Sequence, residues 1–272
     1  MPPFSGAVRW LIIANVVIFV LQSGLKGFAP ELYRASYQYL GLTPELLIGS
    51  GFLWQVITYA FLHGGVMHLF FNMLILWMFG AQMERHFGRR QFLEYYLFCV
   101  IGSALVFTAV SYSGVFGLSP SVHLVGASGG IFGLLIAFGM VFSESEVYLF
   151  PFPIAIKAKY LVGIWMGIDI LLMLRNEDPG SAIAHLGGAF FGFLYLKFLP
   201  RGGLGFGFSE SMYGFRNRYH KWKRRQAAKK FEVYMRKHDR NDYFDEHGNY
   251  RGPDTPETKK ENGDAGKGPW VN

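Results

Sequence analysis

Six stretches of this chain, 8–22, 66–83, 92–110, 128–142, 154–174 and 181–199, are apolar over nearly the ~20 residues that cross a bilayer core. A chain with six such runs has few choices. Backbone polar groups in hydrocarbon must be paired within their own segment, so the runs fold as helices, and the helices must bundle. The fold expected is an all-α membrane protein, a bundle of six transmembrane helices. The first and fourth runs are short and are expected to extend into flanking residues. Bulk composition agrees, with 51% hydrophobic and 18% aromatic residues despite a polar tail. The first run has Arg9 beside it but no small-residue cleavage pattern after it, which reads as a retained span.

Charge orients the bundle. Glu84-Arg85-His86-Phe87-Gly88-Arg89-Arg90 joins runs two and three, and Lys157 and Lys159 follow the connection between four and five. The stretch 111–125 has no Lys or Arg, and Arg175 is offset by Glu177 and Asp178. By the positive-inside rule both termini are cytoplasmic and the first, third and fifth connections lie outside. The net charge of +7 sits late: 12 of the 26 Lys and Arg fall between Arg201 and Arg240. The basic balance therefore belongs to a tail, where it suits anionic lipid or simple solvation, and no nucleic-acid partner is expected. The division expected is a bundle over 1–200, a basic juxtamembrane segment over 201–240 and a disordered tail over 241–272. The lone cysteine, Cys99, excludes an intramolecular disulfide.

The connection 23–65 is too apolar for a free linker, since Leu40, Leu42, Leu46, Leu47, Ile48, Phe52, Leu53 and Trp54 all need cover. Thr43-Pro44-Glu45 reads as a helix start with Thr as N-cap. Short interfacial helices are expected there, with Trp54 and Tyr59 at headgroup level; the alternative is a loop resting on the bilayer.

Polar groups inside spans are costly and mark function by default. His68 and Asn72 begin span two, Ser128 begins span four, and His185 lies near the start of span six. Even-numbered spans run parallel, so these four groups share one depth, one to two turns below the outer surface. His68 and Asn72, four apart, share a helix face. Ser128 lies in Gly126-Ala127-Ser128-Gly129-Gly130, whose glycines pair as Gly126/Gly130 and Gly129/Gly133, while Gly188/Gly192 follows His185. Such faces let helix backbones approach closely and would bring Ser128 to His185 as nucleophile and base. His68 and Asn72 could then steady an oxyanion with the Ser128 backbone N–H. Each polar group alone reads better as helix–helix glue, whereas the four together at one depth favour a site. His63-Gly-Gly-Val-Met-His68 has neither the spacing nor the glutamate of a zinc helix, so no metal or cofactor is expected.

His63-x4-His68-x3-Asn72, Gly126-x-Ser128-Gly129 and Ala184-His185-x2-Gly188 together resemble the rhomboid intramembrane serine proteases in order, span placement and interval. The resemblance covers 8–199. It implies a Ser128–His185 dyad without a third acid, His68 and Asn72 in the oxyanion hole, and cleavage of membrane-protein substrates in or near their transmembrane segments. Glu84-Arg85-x2-Gly88 resembles a family Glu-x3-Gly, read as a structural tie at the cytoplasmic end. Span five is implied to gate against span two, with Phe71 and Trp165 as bulky contacts. Two residues depart from the pattern. Gln55 follows Trp54 where the family often has Arg, which puts loop anchoring in doubt. Phe132 stands where Tyr often stacks on the histidine, and it keeps the stacking. Asp169 could be a third acid, or could pair with Arg175 or a loop donor. A bacterial plasma-membrane location follows by analogy with compact six-span relatives. The alternative reading is a catalytically inactive rhomboid-like protein that binds or escorts membrane proteins. A small-solute transporter would want inverted repeats and broken midplane helices, and neither is apparent.

Overall fold

A computed structural model describes residues 4, 6–148, 155–175 and 177–198, together with 222, 223 and 226. The chain divides into two units, Met1–Gly207 and Phe208–Asn272. The expected basic segment and tail lie almost wholly outside the described residues.

Among its described residues the first unit is mostly helical, with one hairpin. Helix α1 is Gly6–Phe28, α2 Pro30–Leu40, α3 Pro44–Gly49 and α4 Gln55–Thr58. Then come α5 (Val66–Ile75), a π-helical turn (Leu76–Gly80) and α6 (Ala81–Phe87), which run on as one 22-residue helix. Helix α7 is Arg89–Ser113, α8 Ser128–Val141, α9 Ala158–Leu174 and α10 Pro179–Phe198. Strands β1 (Glu146–Tyr148) and β2 (Ala155–Lys157) pair antiparallel, Glu146 opposite Lys157. This short hairpin is a local departure within an otherwise helical unit, and it takes up the start of the expected fifth run. Lys157 and Lys159 both bond Glu144 beside it and hold that exposed carboxyl down to about 2.

Among the described residues four helices are long and apolar enough to cross a membrane: Gly6–Phe28, Val66–Phe87, Arg89–Ser113 and Pro179–Phe198. The first run extends as expected. The fourth does not: α8 has 14 residues and ends at Val141. It has no need of length, because Gly129, Gly130, Ile131, Gly133, Leu134, Leu135, Ala137 and Phe138 are buried against α7, α9, α10 and the π-helical turn. By contrast α1 buries only Ala7, Val8, Asn15 and Gln22, and leaves Val16, Val17, Val20 and Leu21 exposed.

Glycine sets the closest packing. A Cβ on Gly188 would overlap the Gly129 carbonyl, and one on Gly192 would meet Gly133 Cα at 3.0 Å. So α8 and α10 touch backbone to backbone, as the small-residue pairs imply. Tyr95 Oη donates to Gly133 O at 2.6 Å and Tyr59 Oη to Val100 O at 2.8 Å, both buried. Tyr59 is 1% exposed, so it is a core residue and not a headgroup anchor. Its ring and hydroxyl find a better home against α7, where the hydroxyl reaches a carbonyl. At the opposite end, the Glu84 carboxylate accepts the N–H groups of Ala7 and Val8 at 2.6 and 3.0 Å. It thereby ties α6 to the orphan donors that begin α1.

The connection 23–65 is folded. Gln55 is fully buried, with Oε1 accepting the Thr43 N–H at 3.0 Å and Nε2 donating to Gln38 O at 2.9 Å. The doubt over loop anchoring is therefore removed: an amide, donor and acceptor at once, closes this loop without an ion pair. Thr43 and Pro44 do start α3, but the Thr43 hydroxyl bonds His123 Nδ1 instead of capping the helix. Leu42 and Leu124 exchange backbone hydrogen bonds at 3.0 and 2.9 Å. The loop entering α8 is thus held by the connection that precedes α5.

Candidate active site

Ser128 is the first residue of α8, half-buried behind Gly126. Gly126 has φ +131°, a conformation side chains rarely adopt, and its N–H bonds Tyr59 O at 3.0 Å. A Cβ there would lie 2.9 Å from the His68 ring and 3.6 Å from Ser128 Oγ. That one glycine therefore stands between the serine and His68 and leaves the space between them open.

His185 lies in the second turn of α10, 17% exposed in its side chain. Its ring stacks on Phe132 at 4.0 Å between centroids and 8° between planes. Phe132 is four residues past Ser128 on α8, so the serine's own helix sets the plane of the imidazole. One residue before His185, the Ala184 carbonyl accepts the buried Ser103 hydroxyl of α7 at 2.7 Å. Ser103 is a positioning contact that its setting in a long apolar run did not single out. Among the described residues no hydrogen bond joins Ser128 to His185. Catalytic hydrogen bonds are often long before substrate arrives.

The other imidazole edge is engaged. His185 Nδ1 meets Asp169 Oδ1 at 3.2 Å, and Asp169 is 7% exposed. Asp169 therefore pairs with the histidine and not with Arg175, which is exposed. The reason is helix rotation: Asp169 lies on the buried face of α9, with Leu161 and Val162. The available signal was a carboxylate inside an apolar helix; its partner was not readable.

His68 is exposed, within electrostatic reach of His185. Asn72 is buried, and its Nδ2 has no hydrogen-bond partner among the described residues. An unpaired buried donor of this kind is costly unless a ligand oxygen completes it. His63 is 2% exposed, sits edge-on to His68 at 5.1 Å, and its ring nitrogens have no side-chain hydrogen-bond partner among the described residues. Burial, with the nearby His68, pushes it down to about 4. Trp165 meets Phe79 edge-on at 6.4 Å, whereas Phe71 is exposed and leans on Phe70, so the expected Phe71–Trp165 contact is absent among the described residues.

A family model described as "Rhomboid domain" matches residues 50–202. Rhomboid protein 1, mitochondrial, of Saccharomyces cerevisiae is 29% identical over 205 residues, 72% of this chain and 56% of that protein. Rhomboid protease GluP of Bacillus subtilis is 34% identical over 60% of this chain and 30% of its own length. Presenilin-associated rhomboid-like protein, mitochondrial, of Pongo abelii is 26% identical, over 70% and 48%. The chain spans about half the length of the first of these relatives.

Proposed function

The chain belongs to the rhomboid family and is an integral, multi-pass membrane protein, and on that premise we propose that it is an intramembrane serine endopeptidase. In this reading Ser128 Oγ attacks a substrate carbonyl while His185 Nε2 takes its proton. The tetrahedral oxyanion is met by the Ser128 N–H, Asn72 Nδ2 and His68. His185 returns the proton to the leaving amine, and water, deprotonated by the same imidazole, then hydrolyses the acyl-enzyme. The observation that carries the reading is the convergence of three separate helix starts, with α8 and α10 in backbone contact beside Ser128 and His185.

The remaining crossings fit this reading. Helices α8 and α9 complete six spans, with α2–α4 in the outer interface and both termini cytoplasmic. Fourteen residues at 1.5 Å each rise roughly 21 Å, short of a ~30 Å core. With its far end at the inner surface, α8 starts below the outer one and recesses Ser128 in a notch that water enters from outside. The bundle over 1–200 is the catalytic domain; 201–240 is a basic segment that meets anionic lipid, followed by a tail. The substrates are transmembrane proteins whose helices unwind locally to present an extended backbone, and the location is a bacterial plasma membrane.

The test is cleavage of a single-span substrate in proteoliposomes by wild type and Ser128→Ala, alongside labelling by a fluorophosphonate probe with His185→Ala as control. Cleavage and labelling by wild type alone are expected. Equal cleavage by both proteins, or none by either across several substrates, would return the chain to the reading of an inactive rhomboid-like escort.

A further inference from the structure

We infer that Asp169 is a positioning residue for His185, holding the imidazole of the Ser128–His185 dyad from its Nδ1 edge. This rests on the protease reading above.

Two independent contacts constrain the imidazole. Stacking on Phe132 at 4.0 Å and 8° fixes the plane of the ring, but leaves it free to turn within that plane. The bond from Nδ1 to Asp169 Oδ1 at 3.2 Å removes that second freedom. It also selects a tautomer. A carboxylate only accepts, so Nδ1 must carry the proton, and Nε2 on the opposite edge is left as an acceptor for the serine hydroxyl. The proton moves from Ser128 Oγ to Nε2 as the Oγ–carbonyl bond forms. The resulting imidazolium keeps its Nδ1–H on the carboxylate, and Asp169 itself gains no proton.

Burial argues against a role as simple glue. Asp169 is 7% exposed on an apolar helix, and its second oxygen, Oδ2, has no partner among the described residues. A carboxylate kept in such a place is expensive. An asparagine could supply one acceptor to Nδ1 without the charge. A cation that forms on the imidazole during each turnover gives the charge a use that an amide cannot match.

The test compares Asp169→Asn, which keeps size and shape, with wild type in proteoliposomes. We expect kcat to fall ~10-fold or more, with KM and the thermal midpoint unchanged. A kcat within threefold of wild type, or a loss matched by a lower midpoint, would overturn the inference. A second readout needs no turnover: 15N spectra of histidine-labelled protein in a Ser128→Ala background. His185 should carry its proton on Nδ1 with Asp169 present and lose that preference in Asp169→Leu, which offers no acceptor. The same tautomer in both would sink the positioning role even if cleavage had never been seen; a tautomer switch without cleavage by wild type would fault the protease reading alone.

Discussion

His63 illustrates how a buried side chain couples this site to pH. It is neutral in the folded protein because burial holds it down to about 4, against 6.5 when exposed. Between those values the unfolded chain binds a proton that the folded one refuses, so stability is full above about 6.5 and is lost as pH falls toward 4. The loss is up to about 3 kcal/mol at 1.36 kcal/mol per unit. Thermal unfolding of the protein in detergent should therefore show a midpoint that drops from pH 7.5 to 4.5, and His63→Phe should flatten that slope. Parallel slopes in the two proteins would mean that His63 is not the group responsible. Asn72 has a different character, since its Nδ2, unpaired among the described residues, costs the resting fold instead of supporting it. Asn72→Ala is expected to lower kcat about 10²-fold with little change in stability, as for other oxyanion donors. Unchanged kcat would remove it from the oxyanion hole.

Among the elements, α8 and α10 bear the strictest requirement. Gly188 has no room for a methyl group, because the atom in the way is the Gly129 backbone carbonyl and not a flexible side chain. The helices must separate to admit one, and Ser128 and His185 ride on them. Gly188→Ala should cost about 1–3 kcal/mol of stability and lower kcat more than it raises KM. Gly163→Ala on α9, where a Cβ meets nothing within 4 Å, is the matched control and should be neutral or slightly stabilising. Equal effects at the two positions would show that backbone contact does not set the site. At α1 and α6 the tie is electrostatic, a carboxylate on two helix-start N–H groups. A match to Glu-x3-Gly pointed to this role, and the geometry supplies its partner.

At the scale of the molecule, the proposed six crossings would put both termini on the same, cytoplasmic, side. Single cysteines introduced near each end of a Cys99→Ala chain should both resist a membrane-impermeant thiol reagent in right-side-out vesicles, while one at Ser121 reacts. Labelling of one terminus only would require an odd number of crossings and would place Ser128 or the polybasic tail on the wrong face.

Sequence alone determined the helical class, the apolar runs of the four longest helices and the glycine faces between α8 and α10, and it led to the expectation of one shared depth for His68, Asn72, Ser128 and His185. These properties are local or additive: hydropathy sums along a run, and parallel spans count off depth at a fixed rise per residue. Tertiary structure alone decided that Asp169 turns to His185, that Gln55 closes the outer connection, that Tyr59 is core, and that α8 stops after 14 residues. Each of those depends on how far one helix is rotated and displaced against another. Periodicity marks a helix's apolar face, but when nearly every face is apolar it no longer reports rotation. That angle is set by packing, here by glycines and buried hydroxyls acting between helices.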